Sequence, residues 1–428
     1  MGRGVIVIAG KDPALIDGGS ESYLRAYGRA ARRAGYQPHF FSMGTGNARQ
    51  ETEFGVIHRV PSPFRPFRGL MVAAHQPYLV RAVDRFVGNT AEAQLIHSFG
   101  PWGGVGLAAA QRLRRRGIAA TAIVTPFGTY NHETRGKLRG LQFSRHPLRW
   151  LQHAFEFAWT RLTVDPNEGR GYRGSDLVLP NYDSVRQIIT RQFGGKITFE
   201  KMTYASEAAF LDPPVRELPA AAARLEPKDA PLIVAVSRQD PRKGVGVLIR
   251  ALARLRERGL RFRACLVGGG QLLEAHRALV ERTGLSGSVV LPGRVPDAFS
   301  YLQHADIFVL PSLEEGSGSV SLLEAMQAGS APIVSRVDGL PEDVRHGESA
   351  LLVEPADAPR LAEAIADLLT KPDMRAQIAA GARRQFERRF SADAFAADLK
   401  RLYSGLGFAA GGTHLMAARA SVVKQPVG

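Results

Sequence analysis

Residues 231–268, PLIVAVSRQDPRKGVGVLIRALARLRERGLRFRACLVG, contain the pattern that decides the fold. An apolar run of strand length is followed by a helical pattern that places Leu248, Leu252 and Leu255 on one face, and a second apolar run follows at 263–268. Strands that alternate with amphipathic helices predict a parallel sheet with crossover helices. The stretch therefore predicts one βαβ unit of a doubly wound α/β sheet.

The same alternation continues in both directions from this unit. It includes apolar runs at 5–9 and 39–43 upstream and at 288–293 and 306–312 downstream, and a helical pattern at 319–329. A chain of 428 residues has room for two domains of ordinary size. We expect a first domain over 1–212, a linker rich in Pro and Ala over 213–230, a second domain over 231–390 and a disordered tail over 411–428.

Composition excludes several classes of protein. Hydrophobic residues make up 45% and charged residues 22%, which excludes a disordered, collagenous or coiled-coil chain. No apolar run approaches the roughly 18 residues that a membrane span needs, and the start MGRGVIVIAGK is typical of a first buried strand rather than a signal peptide. The single cysteine, Cys265, lies in an apolar run, so we expect it to be buried in a cytoplasmic protein without disulfides.

The charge of the chain is strongly positive and uneven. The formal net charge is +16, and residues 1–225 hold 30 basic and 17 acidic side chains, against 26 and 23 in residues 226–428. Such a field attracts phosphates on a nucleic acid, an anionic membrane or a phosphate-bearing or acidic substrate. The alternative is an ordinary arginine-rich surface.

Two segments of the second half place cations and glycines directly after predicted strands, where α/β sheets bind ligands. In SRQDPRKG, Arg238 and Lys243 lie beside a helix start, which is an arrangement suited to an anion. In LVGGGQLLEA, the glycines beginning at Gly268 allow the backbone to approach a ligand closely. The alternative for the first segment is a surface turn with ordinary charges.

A third segment, LPSLEEGSGSVSLLEAMQAG at 310–329, carries the most information. Glu315 is placed to accept hydrogen bonds from hydroxyl groups, and free N–H groups around Ser319 and Ser321 suit a phosphate oxygen. Glu324 follows about one turn into the helix. The alternative makes Glu315 a loop charge and Glu324 a partly exposed helix residue.

Taken in order, these segments resemble the retaining GT-B glycosyltransferases of family four. The resemblance rests on the pair Arg238 and Lys243, the turn at 268–270, PGRVP at 292–296, EEGSGSVSLLEAM at 314–326, and DGLPEDV at 338–344, where the family often has G-G-x-P-E. It is strong over about 230–370 and weak in the first half. Here eight residues separate Glu315 from Glu324, whereas the family usually has seven.

The resemblance implies a GT-B fold, in which two Rossmann-like domains face a central cleft and a closing helix, over about 391–407, packs back on the first domain. Arg238 and Lys243 would stabilise the departing nucleoside diphosphate, Glu315 would contact the donor sugar and Glu324 the ribose. Backbone near Arg294 and Val295 would contact the base. The remaining donor-binding positions are Gly18, Gly19, Gly268, Gly316, Ser317, Gly318, Ser319 and Val320. No metal ion and no bound cofactor is expected.

In the first half, IDGGSESYL at 16–24 resembles the G-G-x-E opening of the same family. Glu21 would begin a helix whose N-terminus favours a carboxylate. Family members often carry a histidine after the strand that TAIVTPFG resembles, and here that position holds Pro126 or Phe127. His97 in LIHSFGPWGG and His132 in TPFGTYNHET both follow predicted strands on the side that faces the cleft, so we take Glu21, His97 and His132 as acceptor-side candidates.

The segment 135–162 combines Arg, Lys and His with Leu, Phe and Trp. As a helix it would be amphipathic and basic, which is typical of a helix that lies on an anionic membrane surface. The alternative places Trp150, Phe155 and Trp159 in the core against the sheet.

These observations predict a glycosyltransferase that moves a sugar from a nucleoside-diphosphate sugar to a hydroxyl acceptor with retention. UDP-sugar is the first choice of donor and GDP-mannose the second, and the acceptor is a glycan or lipid-linked glycan of polysaccharide, glycolipid or cell-envelope synthesis at the inner face of the membrane. One alternative is a sugar-nucleotide epimerase or phosphorylase of the same fold. Another is a basic nucleic-acid-binding protein, which the sequence disfavours because it lacks a recognition motif.

Overall fold

Two sheets, one in each half of the chain, organise the computed structural model, which describes residues 3–15, 19–44, 48–63, 72–139 and 147–410. The strands of the first sheet are β1 (Arg3–Gly10), β2 (Tyr36–Gly44), β3 (Ala48–Thr52), β4 (Gly55–Pro61), β5 (Gln94–Phe99), β6 (Ala120–Thr125) and β7 (Leu177–Val178). They follow the order β3-β4-β2-β1-β5-β6-β7, and β3 is antiparallel to β4 while the other neighbours are parallel.

Helices connect and cover these strands. They are α1 (Gly19–Arg33), α2 (Val72–Val87), α3 (Gly103–Arg115), α4 (Tyr130–Arg139), α5 (Pro147–Trp159), α6 (Asp165–Gly174) and α7 (Asp183–Phe193). A π-helical turn over Thr160–Val164 joins α5 to α6. The first half therefore has the alternating strand and helix pattern that the sequence predicts.

The second sheet is parallel throughout. Its strands are β8 (Leu232–Val236), β9 (Arg263–Val267), β10 (Val289–Gly293), β11 (Ile307–Leu310), β12 (Ala331–Ser335) and β13 (Leu351–Val353), in the order β10-β9-β8-β11-β12-β13. Strand order changes direction between β1 and β5 in the first sheet and between β8 and β11 in the second. In doubly wound sheets, ligands bind at such points, outside the carboxyl ends of the strands.

Two short helices, α8 (Ala208–Leu211) and α9 (Ala220–Ala223), lie in the connection between the sheets. The helices of the second half are α10 (Val245–Glu257), α11 (Leu273–Arg282), α12 (Phe299–Gln303), α13 (Val320–Ala328), α14 (Leu340–Asp343), α15 (Ala358–Thr370), α16 (Pro372–Arg389) and α17 (Ala392–Gly405). Leu248, Leu252 and Leu255 of α10 are fully buried in one core cluster, as their spacing predicts.

Alternate residues of the central strands pack on opposite faces of each sheet. In β8, Leu232 and Val234 belong to one core cluster while Ile233 and Ala235 belong to another. Because helices cover both faces, every position of such a strand is apolar, and the strand appears in the sequence as a continuous hydrophobic run. Cys265 of β9 is fully buried, in agreement with the prediction.

The C-terminal helix leaves the second half and packs against the first. Helix α17 contacts α1, and the hydroxyl groups of Tyr27 and Tyr403 lie 2.6 Å apart in the interior. The Tyr36 hydroxyl donates to the carbonyl oxygen of Phe408 at 2.7 Å. The chain therefore passes between the two halves twice, once before β8 and once between α16 and α17. The tail predicted to be disordered, 411–428, lies outside the described residues.

One face of α5 is apolar and exposed to solvent. It consists of large side chains three or four positions apart, continued into the π-helical turn: Leu148, Leu151, Phe155, Trp159 and Leu162. Phe155 is 66% exposed and Trp159 is 39% exposed, so the alternative that these two rings form core against the sheet is wrong. No helix of the described ranges is long and apolar enough to cross a membrane.

Candidate active site

The carboxyl ends of β8, β9 and β11 open onto a cavity of about 890 Å³, which we call the donor cavity. The predicted donor-site residues that line it are Gly19, Arg238, Lys243, Gly268, Arg294, Val295, Glu315, Ser317, Gly318, Ser319, Val320 and Glu324. Side chains of the first half, including Phe127 and Tyr204, line it as well. Gly316 lines an adjoining cavity. Gly18 lies outside the described residues.

The turn after β8 presents cations to the donor cavity. Asp240 Oδ1 accepts the backbone N–H of Arg242 at 3.0 Å and begins a 3-10 turn over Pro241–Lys243. The side chain of Arg238 is 62% exposed and lies 3.6 Å from Asp240 Oδ2. Since this ion pair is long and solvated, it is weak, and the guanidinium of Arg238 is available to an anionic ligand.

Gly268 allows the ends of β8 and β9 to meet. Its φ of 134° lies in a region that side chains disfavour, and a Cβ at this position would lie 1.9 Å from the carbonyl oxygen of Ser237. The carbonyl oxygen of Gly269 accepts the N–H of Gln239 at 2.9 Å. The glycine turn therefore forms a backbone junction that no larger residue at position 268 would permit.

Glu315 and Lys243 form one unit in the donor cavity. The Glu315 side chain is only 4% exposed, and its carboxylate forms an ion pair with Lys243 Nζ and accepts a hydrogen bond from Ser312 Oγ. A carboxylate offers about four acceptor positions, so Glu315 retains capacity for the hydroxyl groups of a sugar. A diphosphate would compete with Glu315 for the same ammonium group.

Helix α13 begins at the donor cavity. Ser319, its N-cap residue, makes no side-chain hydrogen bond to the helix backbone, and its Oγ lies 3.0 Å from Ser321 Oγ. The first N–H groups of a helix lack intrahelical partners and carry the positive end of the helix dipole. This helix start is therefore suited to a phosphate oxygen.

Glu324 lines the same cavity about one turn further into α13. Burial raises the pKa of Glu324 to about 7, and the nearby carboxylates of Glu207 and Asp297 add to the shift. A carboxyl group with such a pKa exchanges its proton near neutrality. It is able to donate or accept a hydrogen bond from a ligand hydroxyl.

Tyr182 reaches from the first half into the glycine loop of the second. A Cβ on Gly318 would lie 1.8 Å from the Tyr182 hydroxyl, and one on Gly339 would lie 2.5 Å from its ring. The hydroxyl donates to Asp343 Oδ2 at 2.7 Å and lies 2.6 Å from the Tyr204 hydroxyl. Burial raises the pKa of Asp343 to about 7. Nothing in the sequence indicates this contact, which joins residues 161 positions apart.

The three acceptor-side candidates do not lie together. Glu21 and His132 line a second cavity of about 550 Å³, which we call the inner cavity. His97 is fully buried, with Nδ1 at 2.7 Å from the Tyr403 hydroxyl and Nε2 at 2.8 Å from Thr125 Oγ1. Burial lowers the pKa of His97 to about 3. Because both ring nitrogens are used inside the protein, the structure does not place His97 where it would contact an acceptor.

The inner cavity adjoins the donor cavity, since Arg238, Lys243 and Glu315 line both. It is also lined by Glu133 and Glu168, which sequence analysis did not select. In the part of the chain that the structure describes, no group of three or more His, Cys, Asp or Glu side chains is arranged to hold a metal ion.

Comparison with known families gives two matches, one in each half of the chain. The family described as Glycosyltransferase Family 4 matches residues 17–203. The family described as Glycosyl transferases group 1 matches residues 220–385. The two matches leave residues 204–219 between them, in the connection between the sheets, and together span most of the chain.

Curated relatives are enzymes that attach sugars. The GDP-mannose-dependent alpha-(1-6)-phosphatidylinositol monomannoside mannosyltransferase of Mycobacterium tuberculosis is 29% identical over 266 residues, which are 59% of this chain and 68% of the relative. The lipopolysaccharide core biosynthesis glycosyltransferase LpsD of Rhizobium meliloti is 29% identical over 310 residues, which are 65% of this chain and 88% of the relative.

Solved structures with the same fold cover nearly the whole chain. Sucrose-phosphate synthase from Thermosynechococcus elongatus superposes with a TM-score of 0.69 at 22% identity, covering 95% of this chain and 99% of that one. Anabaena HepE in complex with UDP superposes with a TM-score of 0.66 at 18% identity, covering 94% and 100%. At these identities the comparison supports the arrangement of two facing sheets.

Proposed function

The chain belongs to the group 1 glycosyltransferases and has the GT-B fold, and from this premise we propose that it transfers a hexose from a nucleoside-diphosphate sugar to a hydroxyl acceptor with retention of configuration. The observation that carries the proposal is the convergence of Arg238, Lys243, Glu315 and the N-terminus of α13 on one cavity. Cations and a helix start suit a diphosphate. A buried carboxylate beside them suits the hydroxyl groups of the attached sugar.

In the proposed reaction, the bond between the anomeric carbon and the diphosphate breaks while the acceptor hydroxyl attacks from the same face. Arg238 and Lys243 stabilise the charge that develops on the departing diphosphate, which also receives the proton of the acceptor. Retention by double displacement needs a carboxylate nucleophile. Glu315 does not suit that role, because Lys243 and Ser312 engage its two oxygens. In this reaction the two cations replace a metal ion.

For the donor, we propose GDP-mannose ahead of UDP-sugar. Sequence alone ranked UDP-sugar first, but the relative from Mycobacterium tuberculosis, 29% identical to this chain, is named as GDP-mannose-dependent. The UDP complex of Anabaena HepE has 18% identity and supports the fold rather than the donor. Under this proposal Glu324 hydrogen-bonds the ribose, and backbone near Arg294 and Val295 contacts the base.

For the acceptor, we propose a glycolipid or lipid-linked glycan presented at an anionic membrane. The relatives named above act on a phosphatidylinositol mannoside and in lipopolysaccharide core synthesis. The exposed apolar face of α5 offers insertable side chains on the half of the chain that contributes Glu21 and His132 to the inner cavity. The excess of basic side chains in residues 1–225 would attract anionic headgroups.

The test is donor selectivity followed by product analysis. Thermal unfolding of the purified chain is measured with GDP, UDP and ADP, because a ligand at about 100 times its dissociation constant adds roughly 2.7 kcal/mol of stability. We expect GDP to stabilise the chain most. Transfer from GDP-mannose in the presence of a chelator should then give a product whose anomeric configuration, read by NMR, matches that of the donor. Absence of stabilisation by any of the nucleotides would overturn the proposal.

A further inference from the structure

The start of α7, in the first half of the chain, is capped by a residue of the second half. The backbone N–H groups of Asp183 and Ser184 donate to the two carboxylate oxygens of Glu342, at 2.9 and 3.1 Å. Tyr182, the N-cap residue of α7, makes no side-chain hydrogen bond of its own to the helix. The first N–H groups of a helix have no partner within the helix. Glu342 therefore supplies, across 158 positions of sequence, a cap that helices usually obtain from a neighbouring residue.

The charges around the Glu342 carboxylate favour this contact. The carboxylate meets the positive end of the α7 dipole, and a hydrogen bond to a charged acceptor is stronger than one between neutral groups. Lys201 of the first half forms an ion pair with the same carboxylate, and the Glu342 side chain is only 21% exposed. Because the N–H groups and the ammonium group all belong to the first half, Glu342 keeps these partners only while the two halves remain in contact.

The backbone of Glu342, by contrast, is fixed to the second half. Arg389 of α16 donates from Nη1 to the carbonyl oxygen of Glu342 at 2.7 Å. Gln385 of the same helix donates from Nε2 to the carbonyl oxygen of Asp343 at 3.3 Å. Helix α14 is therefore bonded to α16 through its backbone and to α7 through a side chain, so that it lies between the two halves.

A second contact between the halves lies directly beside the first. Tyr182 precedes Asp183 in the chain, and its hydroxyl donates to Asp343, the residue that follows Glu342. Consecutive residues of the first half thus bond to consecutive residues of the second. Two adjacent contacts fix an orientation as well as a distance, so α14 has a defined placement against the start of α7.

The segment that carries Glu342 also holds the loop of the donor cavity. Gly339, directly before α14, donates its N–H to the carbonyl oxygen of Ser317 at 3.0 Å, and a Cβ on Gly339 would lie 3.0 Å from the carbonyl carbon of Ser317. Ser317 and Gly318 line the donor cavity, whereas Glu342 does not. Closely packed elements transmit a displacement rather than absorb it. The placement of this loop therefore depends on a contact that Glu342 makes with the other half of the chain.

We propose that Glu342 is a positioning residue that couples donor binding to the capping of α7. The capped arrangement holds the loop at Ser317 and Gly318 in the shape that accepts the donor, and donor binding in turn strengthens the cap, because coupling between two sites is reciprocal. This inference rests on the proposed function. It extends that function by assigning to Glu342 a part in donor affinity that requires no contact with the donor.

The effect of the donor site on the cap is measured in the wild-type full chain by hydrogen exchange with mass spectrometry. GDP and UDP are added in turn, and exchange is followed in overlapping peptides that span Asp183 and Ser184. We expect the nucleotide that binds to slow exchange of these two amides by about threefold or more, although neither residue lines the donor cavity. In E342A the nucleotide should no longer slow their exchange.

The effect of the cap on the donor site is measured as the dissociation constant of the same nucleotide, by titration calorimetry. E342A should bind it about tenfold more weakly, because a smaller fraction of the chain then has the arrangement that accepts the ligand. E342Q keeps an acceptor oxygen on a side chain of the same length and should remain within about threefold of the wild type. E354A, which removes an exposed glutamate paired with Arg336 within the second half, is the control and should leave the affinity unchanged.

The outcomes separate this inference from the proposed function. Nucleotide binding by the wild type without slower exchange at Asp183 and Ser184, or wild-type affinity in E342A, would overturn the inference and leave the proposed function intact. Equal losses of affinity in E342A and E354A would overturn it as well. Absence of binding of both nucleotides to the wild type would overturn the proposed function and this inference with it. The exchange measurement needs only the wild-type chain, so it decides even where E342A does not fold.

Discussion

Asp338 Oδ2 accepts the backbone N–H of Glu315 at 2.6 Å, and the N–H of Gly316 donates to the same oxygen at 2.7 Å. Asp338 adopts a φ of 46°, a conformation that side chains other than those of Asn and Asp seldom take. It occupies the first position of DGLPEDV, where the family often has glycine. One more residue separates Glu315 from Glu324 than in the family pattern, and the carboxylate of Asp338 holds the backbone at the start of this segment. The two departures from the family pattern are therefore physically linked.

We expect D338G to lower kcat/KM for the donor by about tenfold to a hundredfold, because glycine accepts the backbone conformation but offers no acceptor for the two N–H groups. D338A should lower kcat/KM further, because alanine at this positive φ adds backbone strain. Steady-state kinetics with the donor varied checks both. Asp357, whose side chain accepts the N–H of Arg360 at the start of α15, is the control. Equal losses in D357A and D338G would contradict a specific role for Asp338.

Removal of the Lys243 side chain should lower stability and kcat more than removal of the Arg238 side chain. K243A leaves the carboxylate of Glu315 buried without its cation, which destabilises the fold by about 3 kcal/mol and lowers kcat by about a hundredfold or more. R238A removes an exposed side chain and should reduce kcat without a loss of stability. Urea unfolding and initial rates distinguish the two variants. R345A, which removes a similarly exposed arginine, serves as the control. A larger stability loss in R238A than in K243A would contradict the structural role that we assign to the ion pair between Lys243 and Glu315.

Glu324 should make the stability of the protein fall as pH rises. Its pKa is about 7 in the folded protein against an ordinary value of 4.5, so the folded state holds the proton more tightly. This contribution is fully present below about pH 4.5 and is lost as pH rises to about 7, with a slope of at most about 1.4 kcal/mol per pH unit. E324Q should remove this part of the slope in urea unfolding at pH 5, 6, 7 and 8. E274Q, at an exposed glutamate, should leave the slope unchanged.

Gly318 and Tyr182 should behave as a coupled pair. G318A places a Cβ within the van der Waals radius of the Tyr182 hydroxyl and should destabilise the protein by about 2–3 kcal/mol. Y182L creates space but leaves Asp343 without its donor. The double variant should be more stable than the sum of the single losses predicts, by about 1 kcal/mol or more. Additive losses in a double-mutant cycle would show that the two residues are not in contact in solution.

The exposed face of α5 should bind anionic vesicles. The double substitution L151S/F155S removes two insertable side chains, each of which contributes about 1.5–3 kcal/mol when fully buried. We expect at least tenfold weaker sedimentation with phosphatidylglycerol vesicles, and little binding of either protein to phosphatidylcholine at physiological salt. V215S changes an exposed apolar residue in the connection between the sheets and is the control. Equal binding by the wild type and the double variant would exclude α5 as the contact.

Much of the fold was predictable because it depends on local patterns. The buried strands β8 and β9 are continuous apolar runs, and the face of α10 appears in the spacing of its leucines. Donor-site candidates could also be identified from the sequence, because positions that directly follow parallel strands meet at one edge of the sheet. Arg238 and Glu315 were found in this way, and both line the donor cavity.

What sequence did not reveal depends on partners that are distant along the chain. His97 is a polar residue in a buried strand, and a sequence alone does not distinguish one that faces a ligand from one that bonds inside the core. Its partner Tyr403 lies 306 positions away. Glu168 was missed because its surroundings come from a π-helical turn, which has no sequence signature, and from α4. The role of Asp338 depends on its hydrogen bonds to the N–H groups of Glu315 and Gly316, which only the folded structure shows.

The double passage of the chain between the two halves has a mechanical consequence. A domain tethered by one linker can swing about many axes, but here a second covalent crossing, between α16 and α17, joins the same two bodies. Two tethers remove relative motions that a single linker would allow, because neither half can turn freely about one connection. The contact between Tyr403 and Tyr27 fixes α17 to α1, so the second tether is anchored in the core of the first half.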